Sequence, residues 1–331
     1  MKELAVVILN YNGQELLERF LPSVIDHSGD AQIYIIDNQS EDQSVAWIRG
    51  HYPTQVKCIV LDRNYGFAEG YNRGLQSVEE PYWCLLNSDI RVSPNYTLRP
   101  LELLKENDYI AAVQPKIRSE RHPECFEYAG AAGGFLDYLG YPYCRGRLFQ
   151  SIERDEGQYN DERSVFWTTG ACMFIKKTVF YEVGQFDADY FAHQEEIDLC
   201  WRAQHKGYQL WYTHNSCVYH LGGSTLSNAN PLKTYLNFRN SLFTLAKNLG
   251  AKERAMVLLI RLILDGIAGL LFLFQGKPLH TLSVLRAHFN FYLSLSSLAV
   301  KRREIRPTAI IRSPFSIVFN HFVLGRKKIV K

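Results

Sequence analysis

The chain has 331 residues, 47% of them hydrophobic, a length that suits one large α/β domain with an appendage and a sizeable core. Its seven cysteines are odd in number, form no CxxC pair and lie mostly in apolar runs, which excludes a cysteine metal finger and fits a reducing compartment. The net charge of +3 hides an asymmetry, because residues 252–331 carry 14 basic against 3 acidic side chains, so the preceding part is acidic.

The first elements alternate in type. Leu4–Leu9 is a continuous apolar run, as expected of a strand buried on both faces of a parallel sheet. No basic leader precedes it, so no secretory signal is expected. Residues 14–24 have helical spacing, with Leu16, Leu17, Phe20, Leu21 and Val24 on one face. Strands follow at 32–36, 56–61 and 82–86, and helices at 44–49 and 66–77. Strands separated by such helices make a doubly wound sheet, with ligands outside the carboxyl ends of its strands. Residues 118–163, rich in Gly, Tyr and charge, read as long loops and short strands covering that edge. A strand pattern returns at 164–176, around Thr168-Thr169-Gly170-Ala171, and a helix at 195–205. Residues 255–274 form a long apolar segment, a second helix runs near 280–298, and the end of the chain is basic.

Several residues at the strand ends can carry chemistry. Asp37 follows the second strand, where a carboxylate can accept a hydrogen bond from a base N–H; Asp-Asn also favours a simple turn. Asp89, in LLNSDI, can hold a divalent cation that also binds phosphates, or cap a turn. His220, in VYHLGGST, can be a metal ligand or a hydrogen-bonded structural residue. The run His193-Gln194-Glu195-Glu196-Ile197-Asp198 places three carboxylates at a helix start. The helix dipole and an Asp198–Arg202 pair explain part of it. The Glu195-Glu196 pair is less well explained, and a carboxylate in a cleft can be a general base. Arg239, in YLNFRNSL, can clamp a diphosphate or lie on a solvated helix face.

Taken in order, ILNYNG, IIDNQS, NYGFAEGYNRG, LLNSD, TTGACMFIKK, EEIDLCWR and HLGGS form one series. The series resembles the family 2 glycosyltransferases with a GT-A fold, most closely the rhamnosyltransferase-like branch, over roughly residues 2–249. The resemblance implies a GT-A type doubly wound mixed sheet flanked by helices in residues 1–250, with a helical, basic extension at 251–331. It implies that Asn10 and Tyr11 line the donor base pocket, that Asp37 bonds the base, and that Asn64, Gly66, Phe67 and Asn72 shape the nucleotide side. Asp89 matches the last acid of the family's DxD motif. Asn87 stands at the first position, a departure that removes one carboxylate ligand and should weaken the metal site or change its geometry. His220 matches a further ligand position. Glu196 matches the catalytic base, with Glu195 as its acidic neighbour, and Arg239 sits where a diphosphate contact is plausible.

The expected activity is inverting transfer of a sugar from a nucleotide diphosphate, first dTDP-rhamnose and then UDP- or GDP-sugars, with Mg²⁺ or Mn²⁺ as cofactor. The expected acceptor is a hydroxyl of a lipid-linked oligosaccharide of a bacterial surface glycan. A sugar-nucleotide pyrophosphorylase would want a basic loop after the first strand, where this chain has NYNGQE. A non-catalytic sugar- or lipid-binding protein on the same fold is the rival from another class. The basic tail lacks the aromatic interleaving of a nucleic-acid binder. An anionic membrane is the better partner, which places the chain on the cytoplasmic face of the cell membrane. Arg261 and Asp265 interrupt the apolar segment 256–274, so the expected form is an amphipathic or packing helix rather than a span; a buried helical subdomain or a dimer contact is the alternative.

Overall fold

The computed structural model describes residues 2–222 and 230–328, so Gly223 and Ser224 of the HLGGS run lie outside the described residues. The strands are β1 (Leu4–Asn10), β2 (Gln32–Asp37), β3 (Val56–Val60), β4 (Tyr82–Asn87), β5 (Ile90–Val92), β6 (Ile110–Ser119), β7 (Gly134–Leu136), β8 (Pro142–Cys144), β9 (Arg147–Leu148), β10 (Ser151–Ile152), β11 (Glu162–Val165), β12 (Cys172–Lys176) and β13 (Gln209–His220). The helices are α1 (Gln14–His27), α2 (Ser44–His51), α3 (Gly66–Gly74), α4 (Leu98–Glu106), α5 (Lys177–Glu182), α6 (Glu195–His205), α7 (Pro231–Asn248), α8 (Ala251–Phe274), α9 (Pro278–Leu293) and α10 (Leu295–Ile305).

Among the described residues the main sheet runs β11-β13-β6-β12-β4-β1-β2-β3, with β5 paired to β13. The strands β4, β1, β2 and β3 are parallel; β12 runs against β4 and β6, so the sheet is mixed. The apolar run of β1 is sandwiched, with Ala5 and Val7 in the core on one face and Leu4, Val6 and Ile8 in the core on the other. Leu17, Phe20, Leu21 and Val24 bury the inner face of α1, as their spacing requires. The helix α3 packs so close to β2 that a Cβ at Gly74 would lie 2.3 Å from Ile36 Cδ1.

Two expectations are corrected. The run Thr168-Thr169-Gly170-Ala171 is not strand. The Thr169 N–H donates to Gln114 Oε1 at 3.1 Å and the Thr168 N–H approaches Cys200 Sγ at 3.5 Å, so side chains satisfy peptides that a ladder would otherwise hold. The helix expected near 280–298 is two helices that meet at Ser294. The segment 118–163 holds loops and short strands, as read from the sequence: β6 runs to Ser119, and β7 to β10 form a second, small antiparallel sheet.

The C-terminal helices pack in layers. The helix α7 lies on α6, and α8, α9 and α10 pack on α7. In α8 the residues Val257, Arg261, Asp265 and Gly269, four apart, are buried. The two charges within the apolar segment therefore face inward. Arg261 donates to Leu139 O at 3.0 Å and Ser241 Oγ at 2.6 Å, and its guanidinium lies 3.7 Å from the Tyr141 ring centroid.

Candidate active site

Strand register assembles the site. Asn10 ends β1 opposite Asp37 at the end of β2, while Leu9 stands opposite Asn87 at the end of β4. Three polar groups distant in sequence thus reach one sheet edge, where parallel sheets bind ligands. Asn10 Nδ2 donates to Asp37 Oδ2 at 2.9 Å, and Ser40 donates to Asp37 through both its N–H (2.8 Å) and its hydroxyl (2.7 Å). Asp37 and Asn10 are fully buried, whereas Tyr11 is 46% exposed. In this state the Asp37 carboxylate braces Asn10 and Ser40 from beneath, and the exposed surface of the expected base pocket comes from Tyr11.

The loop before α3 is held by amides. Asn64 Oδ1 accepts from Asn38 Nδ2 at 3.0 Å and from the Gly66 N–H at 2.9 Å. Gly66 has φ +76°, and a Cβ there would lie 2.5 Å from the Phe191 ring, so both its conformation and its contact demand glycine. The Phe67 N–H donates to Phe191 O at 2.7 Å. Asn72 bonds the backbone of Phe186 in both directions, at 2.8 and 3.1 Å. It therefore ties α3 to the loop 184–194.

A second cluster forms where β5 returns against β13. Ile90 pairs with His220, which brings Asp89 Oδ1 to 3.1 Å from His220 Nε2. Glu127, from the segment of loops and short strands after β6, brings Oε2 to 3.0 Å from His220 Nδ1. Burial alone would lower the imidazole pKa; Asp89 and Glu127 outweigh it and push it up to about 10. The Glu127 carboxylate also accepts the Ala129 N–H at 2.5 Å. Nothing in the sequence singles out Glu127, because its partner is reached only through strand pairing.

The carboxylate pair opens α6. Phe191, His193 and Gln194 all have positive φ, an unusual concentration for residues with side chains. The loop is held by α7: Asn240 Nδ2 donates to the carbonyls of Tyr190, Ala192 and His193 at 2.7–3.0 Å. Arg239 donates to Asp189 O, Tyr190 O, Asn240 Oδ1 and Tyr235 Oη. Only Nη2 of Arg239 reaches this turn; Nε and Nη1 bond Asn240 and Tyr235 of α7 itself. Asp198, by contrast, pairs with Arg202 as its i,i+4 spacing predicts, at 2.9 Å, and also with Lys247 and Asn248.

Glu195 is buried and Glu196 half-buried. Burial pushes the Glu196 carboxyl up to about 7, against the pull of the backbone N–H groups at the helix start. Glu195 is raised too, by burial and by Glu196 beside it. A Cβ on Gly170 would lie 3.3 Å from Phe67 and 3.8 Å from Glu196 Cβ, so the TTGA turn, the α3 loop and the base candidate meet at one point. Among the described residues, neither Glu195 Oε2 nor Glu196 Oε2 has a hydrogen-bond partner. A carboxyl near neutrality, at a helix N-terminus beside a sheet edge, can take a proton from a hydroxyl.

The arrangement has relatives. A hexosyltransferase of low-salt glycan biosynthesis from Haloferax volcanii, Agl10, is 22% identical over 84% of this chain and 87% of its own length. An N-acetylglucosaminyl-diphospho-decaprenol L-rhamnosyltransferase from Mycobacterium tuberculosis is 27% identical over 66% of this chain and 75% of its own. Among solved structures, GalNAc-T7 with UDP, GalNAc and Mn²⁺ superposes with TM-score 0.61 at 15% identity, over 98% of this chain and 57% of that longer one. The mannosyltransferase PcManGT of Pyrobaculum calidifontis, with GDP-Man and Mn²⁺, gives 0.52 at 13% identity, over 91% and 87%. These likenesses establish a GT-A-like fold of mixed sheet and flanking helices. Residues 5–184, more than half of the chain, match the family described as Glycosyl transferase family 2, and the chain belongs to that family.

Proposed function

We propose that this glycosyltransferase inverts the anomeric carbon as it moves a sugar from a nucleotide diphosphate to a hydroxyl of a lipid-linked glycan, with dTDP-rhamnose as the first donor to test. The observation that carries the reading is Glu196, a half-buried carboxyl near neutrality where the α3 loop and the TTGA turn converge. The relative from Mycobacterium tuberculosis, a rhamnosyltransferase named for a diphospho-decaprenol compound, supports the choice of donor and acceptor class.

Glu196 takes the acceptor proton as the hydroxyl attacks. Glu195 is raised as well, by burial and by Glu196 beside it. Adjacent helical residues point about 100° apart, so the two cannot share one role. Attack from the face opposite the departing diphosphate inverts the centre without a covalent enzyme intermediate.

Asp89 and His220 would hold a divalent cation. Two ligands at right angles about 2.1 Å from an octahedral ion lie about 3 Å apart. The 3.1 Å between Asp89 Oδ1 and His220 Nε2 fits that spacing, and a carboxylate with an imidazole nitrogen suits Mn²⁺ better than Mg²⁺, which prefers oxygen ligands. The ion would act as a Lewis acid toward the diphosphate leaving group. Asn87 at the other motif position supplies an amide in place of a carboxylate, and it is the feature that favours a non-catalytic binding protein as second reading.

A donor screen tests both. Purified protein is incubated with dTDP-rhamnose, UDP-sugars or GDP-sugars, with Mn²⁺ or Mg²⁺, and released nucleoside diphosphate is measured. Release from one donor, with NMR of the product showing the opposite anomeric configuration, supports the reading. Binding of a donor without release favours the non-catalytic one.

A further inference from the structure

We propose that the outward faces of α8 and α9 lie in the plane of an anionic lipid bilayer and anchor the enzyme to one leaflet without crossing it. The outward side of α8 carries Met256, Leu259, Ile263, Ile267, Leu270 and Phe274, each between 48% and 84% exposed. Their spacing of three and four residues puts them on one side of the helix. Beside it, α9 turns Leu282, Leu285, Phe289 and Leu293 outward, each at least 60% exposed. The two helices pack against each other, so the two rows form one continuous apolar surface, larger than the scattered exposed side chains normal for a soluble domain.

Within the apolar segment of α8 the two charged residues leave that surface clean. Arg261 and Asp265 point into the protein, where Arg261 meets Leu139 and Ser241 and Asp265 lies 3.5 Å from His288 Nε2. The same packing forbids a span. Along α8, Val257, Arg261, Asp265 and Gly269 are buried against the rest of the chain, so one side of the helix is always protein. The 24-residue helix contains an 18-residue stretch of mean hydropathy 2.4, long and apolar enough to cross a membrane, but its buried row holds it against the fold.

Charge selects the occupant. Lys252, Lys277, Arg286 and Arg303 are exposed in the same helical region, and Arg326, Lys327 and Lys328 are exposed beyond it. Residues 252–331 hold 14 basic against 3 acidic side chains. A second copy would bring the same excess of positive charge to the interface, whereas anionic headgroups complement it. The anchor is also coupled to the site. Phe291 of α9 shares a core cluster with Tyr190, and Ala287 packs in a cluster that Ala192 joins, so the apolar helices bear directly on the loop that leads into Glu195 and Glu196.

The test is flotation of the full chain with vesicles of phosphatidylglycerol and phosphatidylcholine, and with phosphatidylcholine alone, across a salt series. Wild type should float with the anionic vesicles, less so at high salt, and alkaline carbonate should release it. The double variant I263E/L285E should lose at least tenfold in vesicle binding with an unchanged melting temperature; I263S/L285S, milder in charge, should lose less. Donor hydrolysis in solution is measured on the same samples, so failure to bind lipid and failure to transfer sugar are separate results. The proposal is overturned if wild type ignores anionic vesicles at low salt, if the folded double variant binds as well as wild type, if carbonate leaves the protein in the membrane, or if sedimentation shows a dimer that the double variant dissociates.

Discussion

His220 Nε2 stands 3.1 Å from Asp89 Oδ1, and the opposite ring nitrogen stands 3.0 Å from a Glu127 oxygen. The imidazole is thus held between two carboxylates, one contributed by the turn after β4 and one by the segment after β6. Without a cation the Asp89 contact is an ion pair; with one, the same two atoms are neighbouring ligands. Chelation separates these descriptions. EDTA should reduce donor turnover by at least a hundredfold, and Mn²⁺ should restore it. Asp89→Asn keeps a hydrogen-bonding group beside His220 but removes the charge, and it should lose metal-restored activity with a near-normal circular dichroism spectrum. Full turnover of Asp89→Asn in EDTA would leave the pair as a structural bridge only.

Glu196 makes a prediction in two directions. As a base it must be ionised, so turnover should fall as pH drops below about 7, the value to which burial raises it. Glu196→Gln should lower turnover by roughly 10²–10⁴-fold and leave donor binding intact. Stability runs the other way. A carboxyl whose folded pKa is raised binds its proton more tightly in the folded state. Its contribution is therefore fully present below the unfolded value and is lost as pH climbs through about 7. Glu196→Gln should melt higher than wild type at pH 8 and close to wild type at pH 4. An inactive variant with no gain in melting temperature at pH 8 would remove the pKa argument. If Glu195→Gln is dead and Glu196→Gln active, the roles of the two are exchanged.

Much of this site was legible in the sequence because parallel strands announce themselves. The run from Leu4 to Leu9 fixes β1, and a strand's carboxyl end fixes where Asn10, Asp37 and Asn87 must gather. What the sequence hid was contact across long separations. Glu127 is one carboxylate among many in a charged stretch until β6 and β13 bring it beside His220. The chemistry of Arg239 suits a phosphate, but its backbone acceptors at 189 and 190 cannot be read from spacing. The TTGA run looked like strand by composition, but Gln114 and Cys200 side chains satisfy its peptides instead.

Asn240 is the next residue to change. One amide nitrogen reaches three carbonyls of a loop that holds three positive φ angles, so the loop's strain is balanced largely from α7. Asn240→Ala should destabilise the protein by about 1–3 kcal/mol, the cost of leaving buried carbonyls without donors. Because the loop runs into α6, turnover should fall more than donor affinity does. Urea melts and donor titrations on the same variant check both parts. Asn240→Asp, which removes the donor but keeps the shape, should resemble Asn240→Ala; a stable, active Asn240→Asp would show that the amide does not hold the loop.

Arg261 gives the last prediction. It is 2% exposed and Asp265, one turn on, is 1% exposed, so two charges sit beneath an apolar helix. They are unequally provided for. Arg261 has Leu139 O, Ser241 Oγ and the Tyr141 ring, whereas Asp265 has Arg261 Nε at 3.9 Å and His288 Nε2 at 3.5 Å. Removing one member of a buried pair costs about 3–5 kcal/mol because the other stays charged and unpaired, while replacing both with apolar groups is often neutral. Arg261→Met should therefore destabilise strongly. Asp265→Leu should cost less, since the guanidinium retains its carbonyl, hydroxyl and ring. The double variant R261M/D265L should be more stable than Arg261→Met alone. Urea midpoints for the four proteins form a double-mutant cycle. A double variant that loses the sum of the two single losses would mean that the charges act independently, and that Arg261 is held by its contacts to residues 139 and 241 rather than by Asp265.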